Sequence, residues 1–175
     1  MLITNGGAMF RRTLTHTLAA CTAVLSIKAL AATTSDTLTV QATVVSSCTV
    51  GAATLDFGTV DSITGALDLN DTATISVTCS LTTPYNILLG PGTNGDGTVT
   101  GRKMKISGAG TDKLSYQLFR NALGTQNWGQ TIGTDTESAI GTGFAVPHVV
   151  YGKIPAAQVV TPGSYSDTVT ITVSY

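Results

Sequence analysis

The last eleven residues of the chain, 165–175, alternate between apolar and polar side chains. A period of two residues is typical of a β-strand with one buried face. The face that we expect to be buried consists of Tyr165, Val169, Ile171, Val173 and Tyr175, and serines and threonines form the other face. Because the pattern continues to the last residue, the sequence leaves open what pairs with the far edge of this strand.

The rest of the chain favours an all-β fold. Charged residues make up 11% of the sequence, and threonine is the most abundant residue type. Side chains branched at Cβ fit strands better than helices, because a helix restricts their rotamers. Further strands are predicted at residues 37–44, 54–58, 72–79, 85–89, 103–106, 114–119 and 146–154, with a turn-rich stretch at 121–143. Short strands separated by turns predict a β-sandwich.

The N-terminus has the features of a secretion signal. Two arginines at positions 11 and 12 precede a largely apolar stretch, and the sequence Ala-Leu-Ala follows at residues 29–31. Small residues at these spacings are what a signal peptidase recognises. We therefore predict that residues 1–31 are a signal peptide, with Met9 as an alternative start. A lipoprotein signal ending at Cys21 and a twin-arginine signal are the competing interpretations.

Cleavage after Ala31 would remove Cys21 and leave Cys48 and Cys79. Two cysteines in an exported chain usually form a disulfide. The alternative is a reactive or metal-binding pair of thiols, but His148 is the one histidine of the mature sequence and no Cys-x-x-Cys motif is present. We predict a Cys48–Cys79 disulfide and no metal site.

Motifs that would indicate catalysis or ligand binding are weak. His148 has no Gly-x-Ser-x-Gly sequence to accompany it, and the glycine-rich residues 90–97 lack the Gly-Lys-Ser/Thr ending of a phosphate-binding loop. With 9 basic and 10 acidic residues, no basic stripe suggests nucleic-acid binding. Trp128 could stack on a sugar, although it could equally be a core residue. We expect a protein that is not an enzyme and has no cofactor.

The segment that precedes Cys48 has two possible roles. A polar lead at residues 32–36 is followed by an alternating stretch whose apolar positions are Leu38, Val40, Ala42 and Val44. This stretch could be the first strand of its own sandwich. It could also pair with an exposed sheet edge of another molecule.

A series of short motifs resembles the spore coat protein U family, whose members include subunits of archaic chaperone–usher pili. In order they are SCTV (47–50), LDFG (55–58), ISVTC (75–79), TPY (83–85), GRKM (101–104), LSYQLF (114–119), WG (128–129), VYGKIPA (150–156) and GSYSDTV (163–169). The resemblance covers about residues 37–175, which is nearly all of the mature chain.

The resemblance implies an incomplete immunoglobulin-like β-sandwich at residues 45–175 that is completed by a donor strand from a partner. Residues 32–44 would be the donor segment, with Leu38, Val40, Ala42 and Val44 as its inserted side chains. Val169, Ile171, Val173 and Tyr175 would form the edge of the acceptor groove. A periplasmic chaperone would fill the groove first, and at the outer-membrane usher the donor segment of a neighbouring pilus subunit would replace it.

The function implied is that of a structural subunit of a secreted surface fibre, in a shaft or adaptor position, which supports adhesion and biofilm formation. Two alternatives stay open. One is a protective coat protein that associates with itself, and the other is a carbohydrate-binding adhesin that uses Trp128 and the loop at residues 90–97.

Overall fold

The computed structural model describes residues 31–60 and 69–175. Residues 1–30 of the predicted signal peptide lie outside the described residues. The chain divides into two units, Met1–Gln41 and Ala42–Tyr175. Residues 31–41 have no regular secondary structure and expose their side chains. Within the described residues, no helix is long and apolar enough to span a membrane.

The described part of the chain contains ten β-strands and no helix. They are β1 (Cys48–Val50), β2 (Leu69–Cys79), β3 (Pro84–Leu89), β4 (Lys103–Ile106), β5 (Lys113–Ser115), β6 (Gln117–Phe119), β7 (Glu137–Ile140), β8 (Ala145–Ile154), β9 (Tyr165–Ser166) and β10 (Ile171–Ser174).

The strands form three antiparallel sheets. The largest has the order β1–β2–β8–β6, and the other two have the orders β10–β3–β7 and β5–β4–β9. The longest ladder joins β2 to β8, from Leu69↔Ile154 to Thr78↔Ala145. β2 and β8 are the two central strands of the four-stranded sheet, and their inward side chains form one wall of the core.

The core lies between the four-stranded sheet and the sheet that contains β3. Alternate residues of each strand point inward, as the pleat requires, while threonine and serine occupy the outer face of β2. The largest buried apolar side chains include Ile75, Val77, Tyr85, Ile87, Leu89, Leu118, Trp128, Val150 and Ile154. The predicted all-β sandwich is confirmed.

Arg102 is buried in this core and ties the end of β3 to Trp128. Its Nε donates a hydrogen bond to the Gly90 carbonyl, and its Nη2 donates to the carbonyls of Leu89 and Trp128, all at 2.8 Å. Burial lowers the pKa of Arg102 to about 10, so the side chain stays charged at neutral pH. Hydrogen bonds from a charged donor are stronger than those between neutral groups, and these three fix the loop that follows β3.

Trp128 and His148 are core residues. The indole N–H of Trp128 donates to the Ile87 carbonyl at 2.9 Å, and the residue is 1% exposed. His148 is also buried, and its Nε2 is hydrogen bonded to the Tyr85 hydroxyl at 2.9 Å. Burial lowers the pKa of His148, which favours the neutral ring. Neither side chain offers a surface to a ligand.

The terminal segment is not one continuous strand, contrary to the prediction for residues 165–175. β9 pairs with β4, whereas β10 pairs with β3 in another sheet. Between them the chain changes sheets at residues 167–170. The apolar residues of the alternating pattern are therefore divided between two sheets, one containing β9 and the other containing β10.

Asp167 is the physical reason for this change of sheets. Its Oδ1 accepts hydrogen bonds from the backbone and side chains of Thr93 and Asn94, and its Oδ2 accepts one from the Tyr116 hydroxyl at 2.6 Å. Burial alone would raise the pKa of Asp167, but hydrogen bonds from Tyr116 and Thr93 outweigh it and hold the pKa below its ordinary value. The carboxylate therefore anchors the chain to the loop at residues 92–94.

Three other strand predictions were wrong in part. Residues 114–119 are divided between two sheets, because β5 pairs with β4 whereas β6 pairs with β8. Residues 54–58 form no ladder, since the Asp56 carboxylate accepts the Gly58 N–H and closes a turn. Residues 37–44 belong to no sheet. Conversely, β7 lies in the stretch at residues 121–143 that was predicted to be rich in turns, with no strand assigned to it.

The predicted disulfide is present. Cys48 and Cys79 face each other across β1 and β2, with their Cα atoms 4.1 Å apart. The disulfide fastens β1, a strand of three residues, to β2, which is its one sheet partner among the described residues.

Removing this disulfide should destabilise the fold. Because it closes a loop with a sequence separation of 31, the C48S/C79S double variant should lose about 3–4 kcal/mol of unfolding free energy. Urea denaturation of the purified protein measures this loss. Oxidised and reduced wild type form a matched pair that differs in no residue, and equal midpoints for that pair would contradict the prediction.

Replacing the Asp167 carboxylate should also destabilise the fold. Asp167→Asn removes the negative charge and replaces one of the two accepting oxygens by an NH2 donor, in a partly buried hydrogen-bond network, so we expect a loss of about 1–3 kcal/mol at pH 7. Since the pKa of Asp167 is lowered on folding, its stabilising effect is present above about pH 4 and is lost as the pH falls through the folded pKa.

Thermal unfolding at pH 7 and at pH 3 tests this. The wild type and Asp167→Asn should differ at pH 7, and the difference should become smaller at pH 3, closer to the lowered pKa of Asp167. Asp36→Asn makes the same chemical change in an exposed segment and should match the wild type at both values. An Asp167→Asn protein as stable as the wild type at pH 7 would refute the role given to this carboxylate.

Candidate functional site: an open sheet edge beside two clefts

β10 is an edge strand whose one sheet neighbour is β3 within the described residues. The Gly90 N–H donates to the Thr170 carbonyl at 2.9 Å, and the register continues with Thr172↔Leu88 and Ser174↔Asn86. Hydrogen-bonded pairs alternate along an antiparallel ladder. The backbone groups of Ile171 and Val173 therefore point away from β3, toward the open side.

The side chains of this edge strand face the core. Val169, Ile171 and Val173 are partly buried and pack against core residues, whereas Tyr175 is 59% exposed. The structure thus brings three of the four predicted groove residues together and leaves Tyr175 outside. Residues 168–175 carry no charged side chain, although natural sheets commonly protect an open edge with charge or proline.

β1 forms a second open edge on the opposite sheet. The Ser80 N–H donates to the Ser47 carbonyl and the Gly51 N–H donates to the Ser76 carbonyl, both at 2.9 Å. By the same alternation, the backbone groups of Cys48 and Val50 point away from β2. Some Cα atoms of β1 and β10 lie within 8 Å of each other. The open edges of these two strands therefore face a common opening, which is narrow where β1 lies beside β10.

Beyond β1 the opening widens into a cleft of about 310 Å³. One side is formed by residues 53–55 and Phe57, and the other side is formed by residues 165–167, Val169 and Ile171. The remaining lining is largely core side chains, namely Ala73, Ile75, Leu89, Met104, Tyr116, Leu118 and Val150. An apolar cleft that adjoins an open sheet edge can accept an extended segment whose alternate side chains are apolar.

A second cleft of about 580 Å³ adjoins the first. It lies between residues 55–60 and residues 154–165, and Leu55, Phe57, Met104 and Tyr165 line both clefts. Its outer wall is held by Asp112, whose carboxylate accepts hydrogen bonds from the backbone and hydroxyl of Thr161. These bonds lower the pKa of Asp112.

Leu55 and Phe57 are site residues that the sequence reasoning missed. It treated them as part of a short strand, but their side chains form the partition between the two clefts. A Cβ atom at Gly152 would lie 2.6 Å from Leu55 Cδ1 and 2.8 Å from Phe57 Cζ. The absence of a side chain at this position of β8 therefore lets them rest on the sheet, and the LDFG motif was the available signal.

The predicted donor residues have a different environment. Leu38, Val40, Ala42 and Val44 are all exposed, and none lies in a strand. Among the described residues, no group of three or more histidine, cysteine or acidic side chains could hold a metal ion.

Comparison with solved structures gives one informative match. It is the CsuC–CsuE chaperone–tip adhesion subunit pre-assembly complex from the archaic chaperone–usher Csu pili of Acinetobacter baumannii, with a TM-score of 0.55 and 26% sequence identity. The match covers 76% of this chain and 40% of that chain, so this protein spans less than half of its length. The match agrees with the predicted immunoglobulin-like sandwich.

A further match, the E. coli Hda pilus minor tip subunit HdaB, has a TM-score of 0.38 and 13% identity over 72% of this chain and 78% of that chain. It is too distant to support an argument.

Sequence comparisons are more specific. A family model described as the Spore Coat Protein U domain matches residues 34–172. Protein U of Myxococcus xanthus is 36% identical over 173 residues, which is 90% of this chain and 96% of that protein. The chain therefore belongs to the Spore Coat Protein U domain family.

Proposed function

We propose that this protein is a structural subunit of a secreted surface fibre and that it polymerises by donor-strand exchange. The observation that carries the proposal is the open, uncharged edge at Ile171 and Val173 beside an apolar cleft. The likeness to a chaperone–subunit pre-assembly complex of chaperone–usher pili supports it.

The chain also contains a segment suited to such an edge. Residues 37–44 alternate in polarity, and their apolar side chains are exposed. Each aliphatic side chain transferred from water into a cleft contributes about 1.5–3 kcal/mol. Ordering each residue of the segment costs about 1–2 kcal/mol, which backbone bonds to the open edge help to offset. The β-sandwich that follows the segment, which we call the body of the subunit, is already folded. Only the donor segment therefore has to be ordered when it binds.

The local sequence favours donation to another molecule. Ser47 is held to Ser80 by backbone and side-chain hydrogen bonds. If the donor segment folded back onto its own sandwich, the chain would therefore have to reverse direction at Val45 and Ser46. A tight hairpin at this point would need residues such as glycine or asparagine with positive φ. Residues 44–47 include neither, so folding back beside β1 is unfavourable.

Partners follow from the same surface. A periplasmic chaperone would cover the β10 edge before assembly, and an outer-membrane usher would exchange it for the donor segment of the next subunit. A chain that has both an acceptor edge and a donor segment can be joined on both sides, which suits a shaft or adaptor position. Adhesion and biofilm formation would be properties of the assembled fibre.

Deleting residues 33–42 should stop polymerisation and leave chaperone capture intact, because the donor is lost while the acceptor edge is unchanged. Coexpression with a candidate chaperone and usher, followed by gel electrophoresis without boiling, should give a ladder of heat-labile multimers for the wild type and none for the deletion variant. A double substitution on the polar face of the donor, T39S/Q41N, is the matched control and should preserve the ladder. Polymer formation by the deletion variant would contradict the proposal.

The open edge can be tested by removing one backbone donor. Val173→Pro removes an N–H group that points to the open side, so the β3 ladder is retained. We expect it to fold but to lose both chaperone capture and polymerisation, by at least about tenfold, since each partner uses the same edge. Thr172→Pro instead removes an N–H group that faces β3 and should destabilise the fold itself. Undiminished chaperone capture by Val173→Pro would show that the edge is not the acceptor.

A second candidate function is a coat protein that associates with itself and needs no usher. The observation that favours it is the 36% identity with Protein U over nearly its whole length, in a family named for a spore coat protein. Expression of the mature chain without chaperone or usher separates the two. Ordered assemblies that form even after deletion of residues 33–42 would favour the coat function. The carbohydrate-binding alternative has no support, since the ring of Trp128 is buried.

A further inference from the structure

Two turns at the end of the sandwich where the body begins carry exposed apolar side chains. The turn between β2 and β3 exposes Leu81, and the end of β7 with the turn that follows it exposes Ile140 and Phe144. These three side chains are between 64% and 78% exposed, and Val45 is 73% exposed. We call this group, Val45, Leu81, Ile140 and Phe144, the apolar pole.

The pole is rigidly built. The Thr82 N–H donates to the Gly141 carbonyl at 2.8 Å, and the Gly141 N–H donates to the Thr83 carbonyl at 2.7 Å. The Gly143 N–H donates to the Cys79 carbonyl at 3.0 Å. The Ser80 carbonyl lies so close to Gly141 that no Cβ atom would fit there. Exposed side chains on turns held in this way keep a fixed arrangement.

The surroundings of the pole are uncharged. Residues 43–47, 80–85 and 139–147 contain no acidic or basic side chain. Soluble proteins rarely expose clustered apolar side chains without a binding role. A partner for this surface must therefore itself be apolar at the contact.

The short linker between the donor segment and β1 indicates which molecule contacts the pole. If Val44 is the last donor residue in the groove of a neighbour, three residue steps separate it from Ser47, which is fixed to Ser80 in its own body. Three steps of fully extended chain span at most about 11 Å. The neighbouring body must therefore come this close to the turn that carries Leu81.

We propose that the apolar pole packs against the body of the second copy that receives this subunit's donor strand, at the rim of that copy's acceptor groove. The proposal rests on the proposed function, which places Val44 in the neighbour. The contact would bury the linker at residues 45–47 and limit bending between successive subunits of the fibre.

The test compares fibres made from the full chain, coexpressed with chaperone and usher. L81S/F144S changes two exposed side chains of the pole, and Ile140→Thr is a second variant that keeps a residue suited to a strand. The matched control, L123S/V159S, changes two exposed apolar side chains elsewhere. The readouts are the heat-labile ladder, the distribution of angles between subunits in electron micrographs, and cleavage by elastase, which cuts after small aliphatic residues such as Val45.

We expect the pole variants to retain the ladder, because the donor strand is intact. Their fibres should bend over a wider range of angles, and elastase should cut the linker at least about tenfold faster than in wild-type or control fibres, as local opening becomes more frequent. Pole variants whose ladder, angles and cleavage all match the wild type would overturn the proposal. Loss of the ladder in these variants would overturn it too, because the pole would then serve the chaperone or usher. A wild type without any ladder would overturn the proposed function, and this inference with it.

Discussion

The fold is organised around backbone hydrogen bonds that the sandwich does not complete. On one side of β10 the N–H and C=O groups are paired with β3, and on the other side those of Ile171 and Val173 face an opening. Polar backbone groups beside an apolar cleft are costly to leave without a partner. The edge lacks the charges and prolines that would make it tolerable as a permanent surface. Its chemistry is therefore that of a binding site for an extended chain.

An incomplete sheet of this kind needs support from elsewhere, and two polar networks supply it, one buried and one partly buried. Arg102 donates to three carbonyls where β3 ends. Asp167 collects hydrogen bonds from Thr93, Asn94 and Tyr116 immediately before β10. Together they hold β10 and its partner β3 in place from their flanks, so the edge can stay open without the terminal segment detaching. The disulfide does the same for the short strand β1 on the opposite sheet.

Period-two alternation predicted the strands that are long and buried on one face, which are β2, β3 and β8. It failed where the chain passes from one sheet to another. Nothing in the local pattern of residues 165–175 or 114–119 signals that β9 and β10, or β5 and β6, pair in different sheets. β7 was missed because its sequence, ESAI, has little intrinsic strand preference and is ordered by pairing with β3. Leu55 and Phe57 were given to a strand because their role as a partition depends on the bare surface of Gly152.

The sequence by itself determined the all-β class, the pairing of Cys48 with Cys79, the family and the apolar faces of the first and last segments, since each of these depends on local spacing or on an ordered set of motifs. Tertiary structure alone decided which backbone groups of β10 stay open, where the clefts lie and that the turns near residues 81 and 144 share one apolar pole. These features arise from contacts between residues far apart in the chain. Their register and close approach are set by packing and hydrogen bonding in three dimensions, and no pattern along the sequence encodes them separately.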